Sequence, residues 1–268
     1  MVGHDIVLPK ITSTPDLGEV RLELQGLHAI GERGTPALRG VDLKVQAGEI
    51  VGVAGVSGNG QSELAEVITG LRKPTEGRVI VNGKEMTGKL PGELLKTGMA
   101  YIPEERMRDG IVSDFTVSEN VILRDHDHKP YSNWGLLIHR MIGELTDRLI
   151  KLFDIRTPSR NTQAGNLSGG NIQKVVLARE LSRTPKVLIA AQPTRGVDIG
   201  AIEFIHKNLL EQRQAGAAIL LISEDLDEVL ALSDRVAVMF EGKIMDILAN
   251  QDAERGRVGL LMAGVRPE

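Results

Sequence analysis

The chain has no cysteine, so it carries neither a disulfide framework nor thiolate chemistry, which suits a reducing compartment. Long apolar runs are missing too: stretches such as Ala217 to Ile222 fall far short of the ~20 residues that span a bilayer. The first residues lack the basic-then-apolar pattern of a secretory leader. There is no basic excess: 32 Lys and Arg stand against 36 Asp and Glu, a net charge of -4, which does not suit a chain that wraps nucleic acid. Aromatic residues are scarce at 3%, whereas glycine is abundant with 30 copies. Many glycines point to sites built from main chain, because glycine lets the backbone approach a ligand closely. With 41% hydrophobic and 25% charged residues the composition is globular, and 268 residues suit about one or two domains.

Residues 1–19, with Pro9 and Pro15 and no sustained period, read as a loose leader. Val20, Leu22 and Leu24 then alternate with charged residues, as do Val41, Leu43 and Val45, the pattern of half-buried strands. Gly48 to Gly55 reads as a buried central strand, and Ser62 to Leu71 switches to helical spacing. Val79 to Val81 before Asn82-Gly83 reads as a strand entering a tight turn. Helices are expected over Leu136 to Phe153, Gly169 to Ser182, Ala201 to Gln214 and Leu226 to Leu232. Strands are expected over Lys186 to Ala191 and Ala218 to Ser223, with a strand pair around Glu241-Gly242. This alternation argues for an α/β fold with a largely parallel central sheet.

Gly55-Val56-Ser57-Gly58-Asn59-Gly60-Gln61-Ser62 fits the spacing of a phosphate-binding loop, G-x-x-x-x-G-K-[ST], except that Gln61 replaces the lysine. The backbone N–H groups and the helix start that would cradle an anion survive, and Ser62 can still face a Mg²⁺ ion. Taken alone, the segment is equally a Gly-rich turn between a strand and a helix. Further on, Leu167-Ser168-Gly169-Gly170-Asn171 opens a helix, which alone would read as a serine-capped helix start. A hydrophobic strand then leads into Ala191-Gln192-Pro193-Thr194-Arg195-Gly196-Val197-Asp198, and Ile222-Ser223-Glu224-Asp225 ends a later strand.

In order and spacing these blocks resemble the nucleotide-binding domain of ABC transporters over residues 20–250. The resemblance implies a P-loop NTPase (RecA-like) core with a mainly parallel sheet, an antiparallel β subdomain and an inserted helical subdomain near residues 105–182, the whole domain covering 20–264. It implies ATP and Mg²⁺ as ligands, with Gly55 to Ser62, Glu63, Glu104 and Ala191 at nucleotide-binding positions. Several reactive positions depart from the pattern. Gln61 replaces the Walker A lysine, Ala191 the Walker B aspartate, Gln192 the general base and Glu224 the switch histidine, while Glu104 stands where the Q-loop has glutamine. Of residues 27–33, where an adenine-stacking aromatic is expected, only His28 qualifies. A lost lysine contact to phosphate is of order 4 kcal/mol as an upper figure, at about 4 Å and an effective dielectric near 20. Glu104 and Glu224 are the alternatives for the missing base or metal ligand. Weak nucleotide binding and essentially no hydrolysis are expected at this domain's own Walker site.

The signature block Leu167 to Asn171 keeps the family pattern, as does Asp198 at the D-loop position. In this family two domains pair head to tail, and each signature completes the partner's ATP site. The resemblance therefore implies an asymmetric pair, in which the other domain supplies the catalytic residues. Tandem importers of simple sugars and nucleosides close each domain with a short L-M-x-G tail, matched by Leu261-Met262-Ala263-Gly264 and echoed by Met1-Val2-Gly3. Residues 1–19 then become a linker remnant, and the expected partners are an N-terminal ABC domain of the same chain, transmembrane permease subunits and, indirectly, an extracytoplasmic binding protein. The expected place is the cytoplasmic face of the membrane, peripherally attached. A purely structural dimerisation module without nucleotide is the competing reading. A soluble ABC protein of translation or DNA repair is disfavoured by the acidic balance. Asp125-His126-Asp127-His128 reads as a solvated loop and not a metal site, Arg106 and Arg108 as an exposed charged loop or a permease contact, and Trp134 as packing.

Overall fold

The computed structural model describes residues 9–11 and 16–266. The chain opens with β1 (Val20–Ile30), β2 (Pro36–Gln46), β3 (Ile50–Ala54), α1 (Gln61–Thr69), β4 (Glu76–Val81), β5 (Lys84–Glu85), α2 (Pro91–Leu95) and β6 (Met99–Ile102). A π turn at Arg106–Gly110 leads to α3 (Val117–Ile122), the short strands β7 (Ser132–Asn133) and β8 (Leu136–Leu137), α4 (His139–Leu152) and α5 (Gly169–Leu181). Then come β9 (Val187–Ala191), α6 (Ile199–Gln214), β10 (Ala218–Ser223), α7 (Leu226–Leu232), β11 (Arg235–Phe240), β12 (Lys243–Ala249) and α8 (Arg255–Met262). These elements divide into two compact units. The first holds the described residues up to Tyr101, Thr184–Gln192 and those from His206 on; the second holds Ile102–Arg183 and Pro193–Ile205.

In the first unit a six-stranded sheet runs in the order β12-β11-β3-β10-β9-β6. Strand β10 pairs in parallel with β3 and β9, β11 pairs in parallel with β3, and β12 turns back antiparallel on β11. Every residue of β3, β9 and β10 is buried, which is why these strands read as unbroken apolar runs. A Cβ on Gly52 would lie 2.7 Å from Val229, so glycine is what lets α7 lie directly on the β3 backbone. A second sheet, β2-β1-β4-β5, is antiparallel. This is the P-loop NTPase-like α/β architecture with an antiparallel β subdomain.

Gly264 follows α8 at φ +79°, and a Cβ there would press into the Phe240 ring, 2.5 Å from Cε1. The Leu261-Met262-Ala263-Gly264 tail thus closes the unit by a left-handed turn that only glycine fits. Its echo, Met1-Val2-Gly3, and most of residues 1–19 lie outside the described residues.

In the second unit α3, α4 and α5 bury Val117, Val121, Leu149, Ile172, Val175 and Val176. Glu180, fully buried, receives Arg179 Nε at 2.9 Å on one carboxylate oxygen and Arg124 on the other. Burial holds the Arg124 guanidinium below its ordinary pKa, and the Glu180 carboxylate opposes that shift.

Two expectations fail here. Leu136 and Leu137 are strand, not helix, because Trp134 (φ +52°) and Gly135 (φ +79°) form a tight turn that pairs Asn133 with Leu136. Trp134 is no packing residue: it stands at that turn, 97% exposed. The Asp125 to His128 segment spends its groups locally, with Asp125 on Arg183, His126 Nδ1 on the Leu123 carbonyl at 2.8 Å and His128 on Asp127.

Candidate functional site

The loop between β3 and α1 is built from glycine conformations. Gly58 (φ +86°) and Gly60 (φ +104°) take left-handed backbone, and a Cβ on Gly60 would lie 2.5 Å from the Ala37 carbonyl oxygen. Asn59 ties the loop tip to the turn between β11 and β12: its Oδ1 accepts the Glu241 N–H at 2.7 Å, and its carbonyl accepts the Gly242 N–H at 2.9 Å. Its Nδ2 donates to the Val56 carbonyl at 2.9 Å.

Gln61 does more than remove a charge. Its side chain, 5% exposed, turns back into the loop, where Oε1 accepts the Asn59 N–H at 3.1 Å and Nε2 donates to the Val56 carbonyl at 3.1 Å. A lysine ammonium has donors only and could not accept that N–H. The glutamine therefore shares, with the Val56 carbonyl at 3.3 Å, a main-chain donor that such a loop offers to a phosphate. Val56, Ser57 and Ser62 are exposed, Gly55 is buried beneath the loop, and Glu63 sits in the first turn of α1.

Ala191 ends β9 at 2% exposure, opposite Ile222 of β10, and its methyl belongs to the apolar core. Gln192 follows at φ +48°, 9% exposed, with its N–H on the Ile222 carbonyl at 2.8 Å. Its side-chain Oε1 accepts the Glu224 N–H at 3.2 Å. The base position and the switch position are thus adjacent, but the amide that joins them accepts no proton at neutral pH, and the Glu224 side chain is exposed. A hard divalent cation wants several oxygen ligands. Here the two positions that would supply them hold the Ser62 hydroxyl and the Ala191 methyl, so the donor set does not fit Mg²⁺. His28 lies within β1, its Nδ1 donating to the Gly26 carbonyl at 3.0 Å.

The second unit carries the signature. Ser168 caps α5 without any side-chain bond to the helix N–H groups. Asn171 Oδ1 accepts the Arg156 N–H at 2.7 Å, which aims Nδ2 at Ser168 Oγ, 2.9 Å away. Ser168 is the acceptor in that bond, so its own proton is directed elsewhere. The exposed hydroxyl and the first N–H groups of α5, at Gly169, Gly170 and Asn171, form a donor set suited to an anion at a helix start. Leu167 precedes them, half-buried. Asp198 Oδ1 accepts the Ala201 N–H at 2.9 Å, and its Oδ2 lies 3.3 Å from where a Gly170 Cβ would be. The Asp198 carboxylate therefore shares a neighbourhood with the signature glycines.

Glu104 belongs to this same unit, where its carboxylate is ion-paired with Arg195. That pairing engages the carboxylate that the sequence offered as a spare base or metal ligand. Arg106, expected as an exposed loop charge, instead turns inward: Nη1 donates to the Arg195 carbonyl and Nη2 to the Gly196 carbonyl at 3.0 Å. Sequence reasoning missed Arg195 and Asn59 as organising residues as well, since their partners lie 91 and 182 positions away and leave no local pattern.

The family model for ABC transporters matches residues 38–195. The chain is 46% identical over 264 residues to the guanosine import ATP-binding protein NupO of Bacillus subtilis, covering 98% of this chain and 52% of that protein. It is 42% identical over 266 residues to the glucose import ATP-binding protein TsgD13 of Haloferax volcanii, covering 98% and 48%. The chain spans about half the length of the curated relatives it matches. A crystal structure of a nucleotide-free ATP-binding cassette from an ABC transporter superposes with a TM-score of 0.73 at 29% identity, covering 87% of this chain and 93% of that one. The chain belongs to the ABC transporter family, as one of its ATP-binding domains.

Proposed function

We propose that this domain is the non-hydrolysing member of an asymmetric pair of ATP-binding domains in an importer of nucleosides or simple sugars. Its own Walker site binds nucleotide weakly, and its signature completes the ATP site of a second, catalytically intact domain. The observation that carries this reading is a contrast of hydrogen bonds. At the phosphate loop and the base position the glutamine side chains are spent on the protein's own N–H groups, whereas Ser168 and the first turn of α5 keep their donors outward. The importer class follows from relatives that import guanosine and glucose. Their doubled length supports a second domain on the same chain, which this reading takes to be an ATP-binding domain N-terminal to this one. Such a protein would serve a transmembrane permease from the cytoplasmic face of the membrane and, through it, an extracytoplasmic binding protein.

The self-satisfied Gln61 also favours a second reading, a dimerisation module that binds no nucleotide at its own Walker site. Titration of the isolated chain with ATP, with and without Mg²⁺, separates the two. Weak saturable binding with no turnover supports the first reading. No binding at millimolar nucleotide supports the second, and sustained hydrolysis by the chain alone overturns both.

A further inference from the structure

We propose that Arg106 is a positioning residue that locks the signature and the Arg195–Asp198 loop into one rigid element, so that Ser168, Gly169 and Gly170 meet an anion in a fixed array. The inference rests on the reading that the signature serves a nucleotide held by another domain. All the groups involved lie in the second unit.

The guanidinium is planar and presents donors in a fixed fork, which a lysine cannot copy. Here Nη1 and Nη2 take two successive carbonyls, Arg195 and Gly196, of the loop leading to Asp198. The same loop is held from α5 by Gln173, whose Nε2 donates to the Pro193 carbonyl at 2.8 Å. Ion pairing of Arg195 with Glu104 anchors it a third time, just before Arg106 in sequence. Two glycines make room for the arginine. A Cβ on Gly169 would lie 2.8 Å from Nη2, and one on Gly196 (φ +64°) 3.3 Å from it. The signature glycine thus has a second duty besides exposing its N–H: it admits the guanidinium against the helix start.

Two features argue that stability alone does not explain the arrangement. A cation at a helix N-terminus opposes the helix dipole. The buried Nε of Arg106 has no hydrogen-bond partner among the described residues. Both costs become reasonable where an anion is to be received, because the positive charge then adds to the field of the helix start.

The test uses Arg106→Ala and Arg106→Lys, with Arg108→Ala as control, since Arg108 is exposed and pairs with Asp109. Amide exchange is followed on the chain alone. Losing bonds to a charged donor predicts at least about tenfold faster exchange at Ile172, whose N–H bonds the Ser168 carbonyl, and at Val197 and Ile202, whose N–H groups bond the Thr194 and Asp198 carbonyls, with the global unfolding midpoint nearly unchanged. In the pair assembled with the intact domain, kcat for ATP falls at least about tenfold while KM stays within roughly threefold, the pattern of a lost transition-state contact. Arg106→Lys behaves like Arg106→Ala, and added guanidinium ion restores part of the lost rate to Arg106→Ala. Unchanged exchange at both segments, or unchanged kcat, overturns the proposal. A pair indifferent to blocking of Ser168 refutes the signature reading itself, and the exchange experiment still judges the clamp.

Discussion

Replacing Gln61 with lysine tests the closed phosphate loop quantitatively. In the wild type the side chain accepts the Asn59 N–H and donates to the Val56 carbonyl, both at 3.1 Å. Gln61→Lys takes away one of the two acceptors of the Asn59 N–H, leaving the Val56 carbonyl at 3.3 Å, and restores one positive charge. The Coulombic gain at about 4 Å is bounded by roughly 4 kcal/mol at an effective dielectric near 20. A charge-assisted hydrogen bond to phosphate is worth about 1.5–3 kcal/mol net. At about 1.4 kcal/mol per decade, ATP should bind the variant roughly 10- to 100-fold tighter than the wild type. Calorimetric titration of both proteins with ATP measures this directly. The variant should still not hydrolyse ATP, because Ala191 and Gln192 are unchanged. If Gln61→Lys binds ATP no tighter than the wild type, Gln61 is not what weakens the site, and the reasoning from the loop geometry is wrong.

Three further outcomes concern interactions elsewhere in the fold. Glu180→Gln removes the charge that Arg124 and Arg179 share in a buried setting, and urea unfolding should show a loss of about 3–5 kcal/mol. Gly264→Ala forces a Cβ into the Phe240 ring at a left-handed position, which should cost about 1–3 kcal/mol in the same assay. Glu119 accepts the Thr116 N–H and hydroxyl at the start of α3, and these bonds hold its carboxyl below the ordinary value of 4.5. A carboxyl depressed by folding lends stability that is full above pH 4.5 and fades as pH falls through its folded value. Thr116→Ala, which removes the cap, should therefore cost about 1 kcal/mol near neutral pH and less once pH has fallen through the folded value of Glu119, as read by thermal unfolding across pH.

The strands of the central sheet were legible because β3, β9 and β10 are buried on both faces and so contain almost nothing but apolar residues. The outer strands were legible only in part. The alternation at Val20, Leu22 and Leu24 is interrupted where Gly26 (φ +53°) bulges to bond Asp42, and it resumes at Leu27 and Ala29 in a shifted register. A period-two reading therefore stops several residues short of Ile30. The Trp134-Gly135 turn was hidden by leucines that also fit a helical spacing. At the site, main-chain chemistry was readable from motif spacing, because the glycines, Ser168 and the substituted positions sit at set offsets. The inward turns of Gln61, Gln192 and Arg106 were not readable. A side chain's choice between solvent, ligand and a distant carbonyl is set by the fold, and for Arg106 the accepting carbonyls lie 89 and 90 positions away.

On the proposed reading this domain works through its signature and not through its own Walker site. Steady-state ATP turnover by the full assembled pair, with one substitution at a time in this domain, tests it most directly. Ser168→Arg, which fills the donor cluster at the start of α5, should abolish turnover, whereas Gln61→Ala should leave it within about twofold of wild type. Turnover that survives Ser168→Arg and collapses in Gln61→Ala would contradict the claim.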